Sequence, residues 1–245
     1  MNHLVNDLAI KAGDAGVATT LPVPRRDVSI RAATSADVAF MDRLQKAHSK
    51  QVGYFPTKQF EGYVEMGGVL VAHDGAEPLG YCISRDRYLK RDELGVIYQL
   101  CVVPGEQRKL VGASLLKEVF ERSAYGCKLY CCWCAQDLAA NYFWESMGFL
   151  PIAFRAGSTG KKRVHIFWQR RINDGDTGER ATPYWYPCQT NAGAIREDRL
   201  VFPIPPGTDW AEVQAVAVPT RDRPPLPPGP APRARRKPED PAPKA

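Results

Sequence analysis

From residue 27 onward the chain switches between two hydrophobic periods. Asp27-Val28-Ser29-Ile30-Arg31 alternates polar and apolar residues one by one, as a half-buried strand does. Val38, Met41, Leu44 and Ala47 then recur at helical spacing, and Ser35 stands where it could cap a helix over 35–49. Gly53-Tyr54-Phe55-Pro56 interrupts that pattern, and Thr57 is placed to cap a second helix over 57–65. Residues 69–73 and 79–85 read as a hairpin about Asp74-Gly75-Ala76-Glu77-Pro78, and 96–103 as a third apolar strand. A helix over 112–123 leads to a strand over 128–134. The next helix is expected to be capped by Asp137 and stopped by Gly148. Two more strands, 149–154 and 163–169, flank the basic turn GSTGKKR.

This order combines an antiparallel meander with one strand–helix–strand crossover. It predicts an α/β (α+β) domain over 27–171, with a mixed, mostly antiparallel sheet of six to seven strands flanked by about four helices. Residues 1–26 carry no sustained period and are expected to be a flexible leader. Residues 172–218 hold aromatics and a short apolar run at 200–204, so an irregular arm packed on the domain is expected. Ten prolines within 219–245 argue for a disordered tail.

Composition refines this only a little. The chain is 44% hydrophobic and 24% charged, as soluble globular proteins are, and no apolar run is long enough to span a bilayer. With no signal-peptide pattern at the N-terminus, a cytoplasmic location is expected. The formal charge of +6 sits mostly in the tail, where seven basic residues face three acidic ones, so the body is nearly neutral. Seven cysteines are an odd number, and CKLYCCWC at 127–134 has no second pair at zinc-site spacing. Reduced, structural thiols with no metal are expected, with Cys132 and Cys134 on one strand face.

Chemistry concentrates at 95–120. A buried strand runs into Gln107-Arg108-Lys109-Leu110-Val111-Gly112-Ala113 and then into an amphipathic helix. Free N–H groups at a helix start, together with the helix dipole, favour an anion such as a phosphate. The run Leu100-Cys101-Val102-Val103-Pro104 followed by GEQRKLVGASLL resembles the strand–loop–helix signature of GCN5-related N-acetyltransferases (GNAT). Asp137–Phe149 resembles the family's later helix. The resemblance implies acetyl-CoA or another acyl-CoA as co-substrate. Its pyrophosphate would lie on Gln107, Arg108, Lys109, Leu110, Val111, Gly112 and Ala113. Backbone groups of Leu100, Cys101 and Val102 would pair with pantetheine, and Asp137 and Asn141 would stand nearby. The acceptor would be a small-molecule or protein amine, with the protein a monomer or homodimer.

Two positions depart from the family pattern. Leu110 replaces a glycine of the turn, and Trp144 stands where a tyrosine protonates the leaving thiolate, a role an indole N–H cannot fill. For the amine, Tyr98 and Gln99 point to opposite faces of a regular strand, so one of them faces the acceptor. His48, near the end of the first helix, and His73, at a strand end, are candidate titrating groups, and both are expected at the surface. The leading expectation is an acyl-CoA-dependent N-acyltransferase, with Tyr98, Gln99 and Trp144 as catalytic candidates. One alternative is a non-catalytic acyl-CoA-binding or protein-interaction module. Another, drawn from RARRK at 233–237 and Lys161-Lys162-Arg163, is an acyltransferase with a nucleic-acid acceptor.

Overall fold

The computed structural model describes residues 28–123, 125–156, 163–172, 201–204 and 207–212. The strands are β1 (Ser29–Ala32), β2 (Val69–Asp74), β3 (Glu77–Arg85), β4 (Leu94–Val102), β5 (Leu129–Ala135), β6 (Leu150–Ala156), β7 (Val164–Arg171) and β8 (Val201–Pro203). The helices are α1 (Val38–Ala47), α2 (Thr57–Glu65), α3 (Val111–Glu121) and α4 (Ala140–Ser146). The strands form one sheet in the order β1-β2-β3-β4-β5-β7-β6-β8. Every pairing is antiparallel except that of β4 with β5. The expected mixed sheet and four helices are therefore present, with β8 as an added short edge strand.

The two helix layers bury the two sheet faces. Leu115 and Leu116 of α3 pack with Leu70, Cys82, Cys132 and Trp168 on one face. Met41 of α1 and Phe60 of α2 pack with Val71, Tyr81 and Ile83 on the other. Side chains this deeply buried contribute about 1.5–3 kcal/mol each. Cys132 and Cys134 share the α3 face while Cys131 lies with Val96 and Phe167 on the other, as strand alternation requires. The six described cysteines are unpaired and buried. Among the described residues no His, Cys, Asp and Glu side chains are grouped to hold a metal ion, and no helix is long and apolar enough to cross a membrane.

Three expected caps differ. Thr34, not Ser35, opens the first helical segment. Its backbone N–H and its hydroxyl both donate to Asp37 Oδ2, at 2.7 and 3.0 Å, and Arg31 grips the same carboxylate. Pro56 occupies the N-cap of α2, so Thr57 is already helical. Asp137 lies in a turn two residues ahead of the α4 N-cap, Ala139. Gly148 does end that region in the left-handed conformation, with φ 76°. The expected leader and tail lie outside the described residues. Within the expected arm, β8 pairs with β6, and Ile204 and Trp210 are buried.

Candidate functional site

β4 and β5 pair at three positions only: Leu94 with Leu129, Gly95 with Tyr130 and Val96 with Cys131. Beyond Val96 the strands part, although β5 stays paired to β7 through seven positions as far as Ala135–His165. The gap holds a cavity of about 530 Å³. Its walls come from β4, β5, α4, the start of β7 and the 49–53 loop between α1 and α2.

The β4 wall explains the opening. Val103 donates its N–H to Leu79 O on β3, so the neighbouring Val102 turns its backbone groups toward the gap, and Leu100 does likewise two residues earlier. The Val102 carbonyl accepts a hydrogen bond from His48 Nε2 at 2.9 Å, which fixes the proton on that nitrogen; Nδ1 lies 2.6 Å from Gln51 Oε1. His48, expected at the surface, is thus buried against the strand. Cys101 departs from expectation: it pairs with Tyr81 of β3, its side chain packs on the α1–α2 face, and burial pushes its thiol up to about 11. It does not line the gap.

The expectation that Tyr98 and Gln99 face opposite ways is overturned by a β-bulge. On β3, Ile83 pairs with Gln99 and Ser84 with Ile97, which leaves Tyr98 unpaired. Both side chains therefore turn toward α1 and α2. Tyr98 packs against Tyr63 and Tyr88, with centroids at 5.3 and 6.4 Å, and burial drives its hydroxyl up to about 12. Gln99 is buried and fully engaged. Tyr81 Oη donates to its Oε1 at 2.8 Å, and its Nε2 donates to Gln45 Oε1 at 3.2 Å and to Gly53 O. Gln45 in turn bonds the N–H and C=O of Phe55. Gln99 thus pins the 53–55 loop over the gap rather than presenting a free amide.

On the opposite face, Trp144 lines the cavity and packs edge-on against Phe143 and Phe149, both at 5.1 Å. Burial raises the Cys134 thiol to about 12, partly offset by the Trp144 indole beside it. Asn141, expected in the cofactor set, has another job. It is fully buried, donates to the carbonyls of Ala135, Gln136 and Leu138, and accepts from Trp168 Nε1 at 2.9 Å. Asp137 is exposed and takes both arms of Arg163, at 2.7 and 2.9 Å, which lowers its carboxyl. Tyr142 is exposed and rests on Trp210 at 5.0 Å.

The turn between β4 and α3 lies at the end of this gap. Gly105, Arg108 and Leu110 have φ of 92°, 64° and 66°. Leu110 therefore keeps the left-handed conformation that favours glycine, despite its side chain. The first helical bond of α3 is Ser114 N–H to Leu110 O, at 2.9 Å, so the N–H groups of Val111, Gly112 and Ala113 lie in the free first turn. Arg108 and Gln107 are exposed, and Lys109 is held by Glu106 at 2.9 Å. A Cβ on Gly112 would come within 3.3 Å of Leu100 and Phe143, so helix and strand meet closely there. A free strand edge, a deep gap and an uncapped helix start suit an extended amide-bearing ligand that ends in a phosphate.

Two polar residues of the wall were not expected at the site: Arg163, read from the sequence only as part of a basic turn, and His165. Arg163 also donates to Lys50 O at 3.2 Å, joining the start of β7 to the α1–α2 loop. His165 lines the cavity with its Nδ1 sealed from solvent and without a partner. Neither carries a motif; only the β5–β7 pairing brings them to the gap. Lys161, Lys162 and Arg233–Lys237 lie outside the described residues.

Residues 65–151 match the family model described as "Acetyltransferase (GNAT) domain". The fold resembles that of Ard1 from Thermoplasma volcanium, at 14% identity and a TM-score of 0.53, over 59% of this chain and 97% of that one. It resembles yncA from Salmonella typhimurium, solved with acetyl-CoA, at 19% identity and 0.51, over 64% and 98%. The Escherichia coli ribosomal-protein-S18-alanine N-acetyltransferase is similar at 16% identity and 0.50, over 64% and 99%. No curated protein matches the sequence. Among the described residues, the sheet splays between its one parallel pair, with a helix start at the gap. Residues 65–151 thus match the GNAT domain model, and the fold of the described residues is GNAT-like.

Proposed function

We propose that this domain transfers an acyl group, acetyl in the first instance, from coenzyme A to an amine. The observation that carries the reading is the gap between β4 and β5, bordered by a free β4 edge and the uncapped start of α3. An acyl-CoA supplies an acyl carbon activated as a thioester. The amine lone pair forms the C–N bond, the C–S electrons leave on sulfur, and the ammonium proton must pass to a base. Free N–H groups at 111–113 suit the phosphates, with Arg108 adding charge. Backbone groups of Leu100 and the N–H of Val102, whose carbonyl is held by His48, suit the amides of the pantetheine arm. Trp144 and Cys134 border the α4 side of the cavity, where an indole N–H can hydrogen-bond a leaving thiolate without surrendering its proton.

A second reading, a binder without turnover, draws support from Trp144 and from the engaged amide of Gln99. Thiol release from acetyl-CoA across a panel of amines separates the two. Acyl transfer predicts release that depends on the amine, whereas binding with no release by any amine favours the second reading.

A further inference from the structure

We propose that His165 is the proton acceptor for the attacking amine, an inference that rests on the acyl-transfer reading. The two cavity faces have different chemistry. Cys132, Cys134 and Trp144 belong to the α3–α4 face. His165 lies across from Ala135 on β5 and Arg155 on β6, and strand alternation puts it on the other face, with Trp133 and Phe167. That is the face of Tyr98 and Gln99, opposite the side that suits the thiol. An amine approaching there meets His165 without crossing the sheet.

Three other polar groups of this wall are already committed. Gln99 is hydrogen-bonded throughout, Arg163 is held between Asp137 and Lys50 O, and the Tyr98 hydroxyl is pushed up to about 12. His165 alone among the described lining residues is an imidazole; its Nδ1 is sealed from solvent, so Nε2 is the nitrogen that meets the amine. Every element around the ring bears on its charge. Burial, Arg155 from β6 and Arg163 from β7 disfavour the imidazolium, while the Arg163 backbone and Asp137 partly offset them. The ring is accordingly neutral near pH 7, as a base must be before it accepts a proton. The same two guanidinium groups ease loss of a proton from an incoming ammonium. The balance is simple: the lone pair of the neutral amine forms the C–N bond, the proton of the ammonium so formed moves to the imidazole, and the imidazolium returns it to solvent after the thiolate has left.

The test combines turnover with a direct view of the ring in the full-length protein. Amine-dependent thiol release should fall on acidification, with its midpoint below the ordinary imidazole value of about 6.5. His165→Asn and His165→Ala should lower kcat by about 100-fold or more and abolish that acid limb, with the acetyl-CoA Kd unchanged. His73→Asn should leave the rate as it is, because His73 bonds Gly75 O at the end of β2, outside the cavity lining. Long-range proton–nitrogen NMR of the ligand-free protein should show a neutral His165 ring at pH 7. An imidazolium signal at pH 7, or a His165→Asn protein with wild-type kcat and acid limb, overturns the inference while acyl transfer stands. A wild type that releases no thiol with any amine overturns both.

Discussion

Leu110 holds a conformation that costs an L-residue about 1–2 kcal/mol. Leu110→Gly relieves that cost while losing a partly buried side chain packed on the α3 core; Leu110→Ala loses the packing and keeps the strain. Urea denaturation should therefore rank the glycine variant above the alanine variant, the reverse of ordinary helix preference, with a gap of about 1 kcal/mol. Equal stabilities would mean that the turn is unstrained. Asn141 tells a similar story. The family resemblance placed it beside the cofactor, yet its amide closes the β5–α4 turn and satisfies Trp168. Asn141→Leu leaves those buried groups unpaired and should cost about 2–4 kcal/mol, read as a lower urea midpoint. Sequence spacing could not separate these roles, because the deciding partner lies 27 positions away.

Gly95 stands at the last stretch where β4 and β5 still touch. A Cβ there would meet the Tyr130 ring at 2.5–2.7 Å, and that ring is buried and tied to Asp86 and Ser123. Gly95→Ala should destabilise the domain by about 1–3 kcal/mol and loosen the parallel pair. Preserved thermal stability would show that the ring gives way freely. The turn into α1 makes a different prediction. Hydrogen bonding from Arg31 first, and from Thr34, holds the Asp37 carboxyl at about 2, against an ordinary value of 3.8. A depressed carboxylate contributes stability that is complete above about pH 4 and is lost as pH falls toward 2. Asp37→Asn should cost about 1–2 kcal/mol at pH 7, allowing for solvent screening of the exposed Arg31, and nothing near pH 2. T-S-A-D forms a capping box with Thr34 at the N-cap and Asp37 three residues on.

Hydrophobic period and turn residues carried most of the fold, because each strand and helix of the 29–171 domain announces itself locally. The gap was legible in part. Its β4 edge and the α3 turn lie on one continuous stretch, and the resemblance drawn on that stretch agrees with the family match over 65–151. What local patterns could not carry was the bulge at Tyr98, which turns two neighbouring side chains the same way, and the wall contributed by Arg163 and His165. The bulge arises in the pairing of β3 with β4 and the wall in the pairing of β5 with β7, and no local period encodes either. β8, paired to β6 from within the expected arm, was hidden for the same reason. The central claim, that the β4–β5 gap receives an acyl-CoA, is most directly tested by hydrogen exchange of the full-length protein with and without acetyl-CoA. The account predicts slowed exchange at 98–102 and 111–114, with little change in β1 and β2. Unchanged exchange at saturating acetyl-CoA, or protection that spares both stretches, would contradict it.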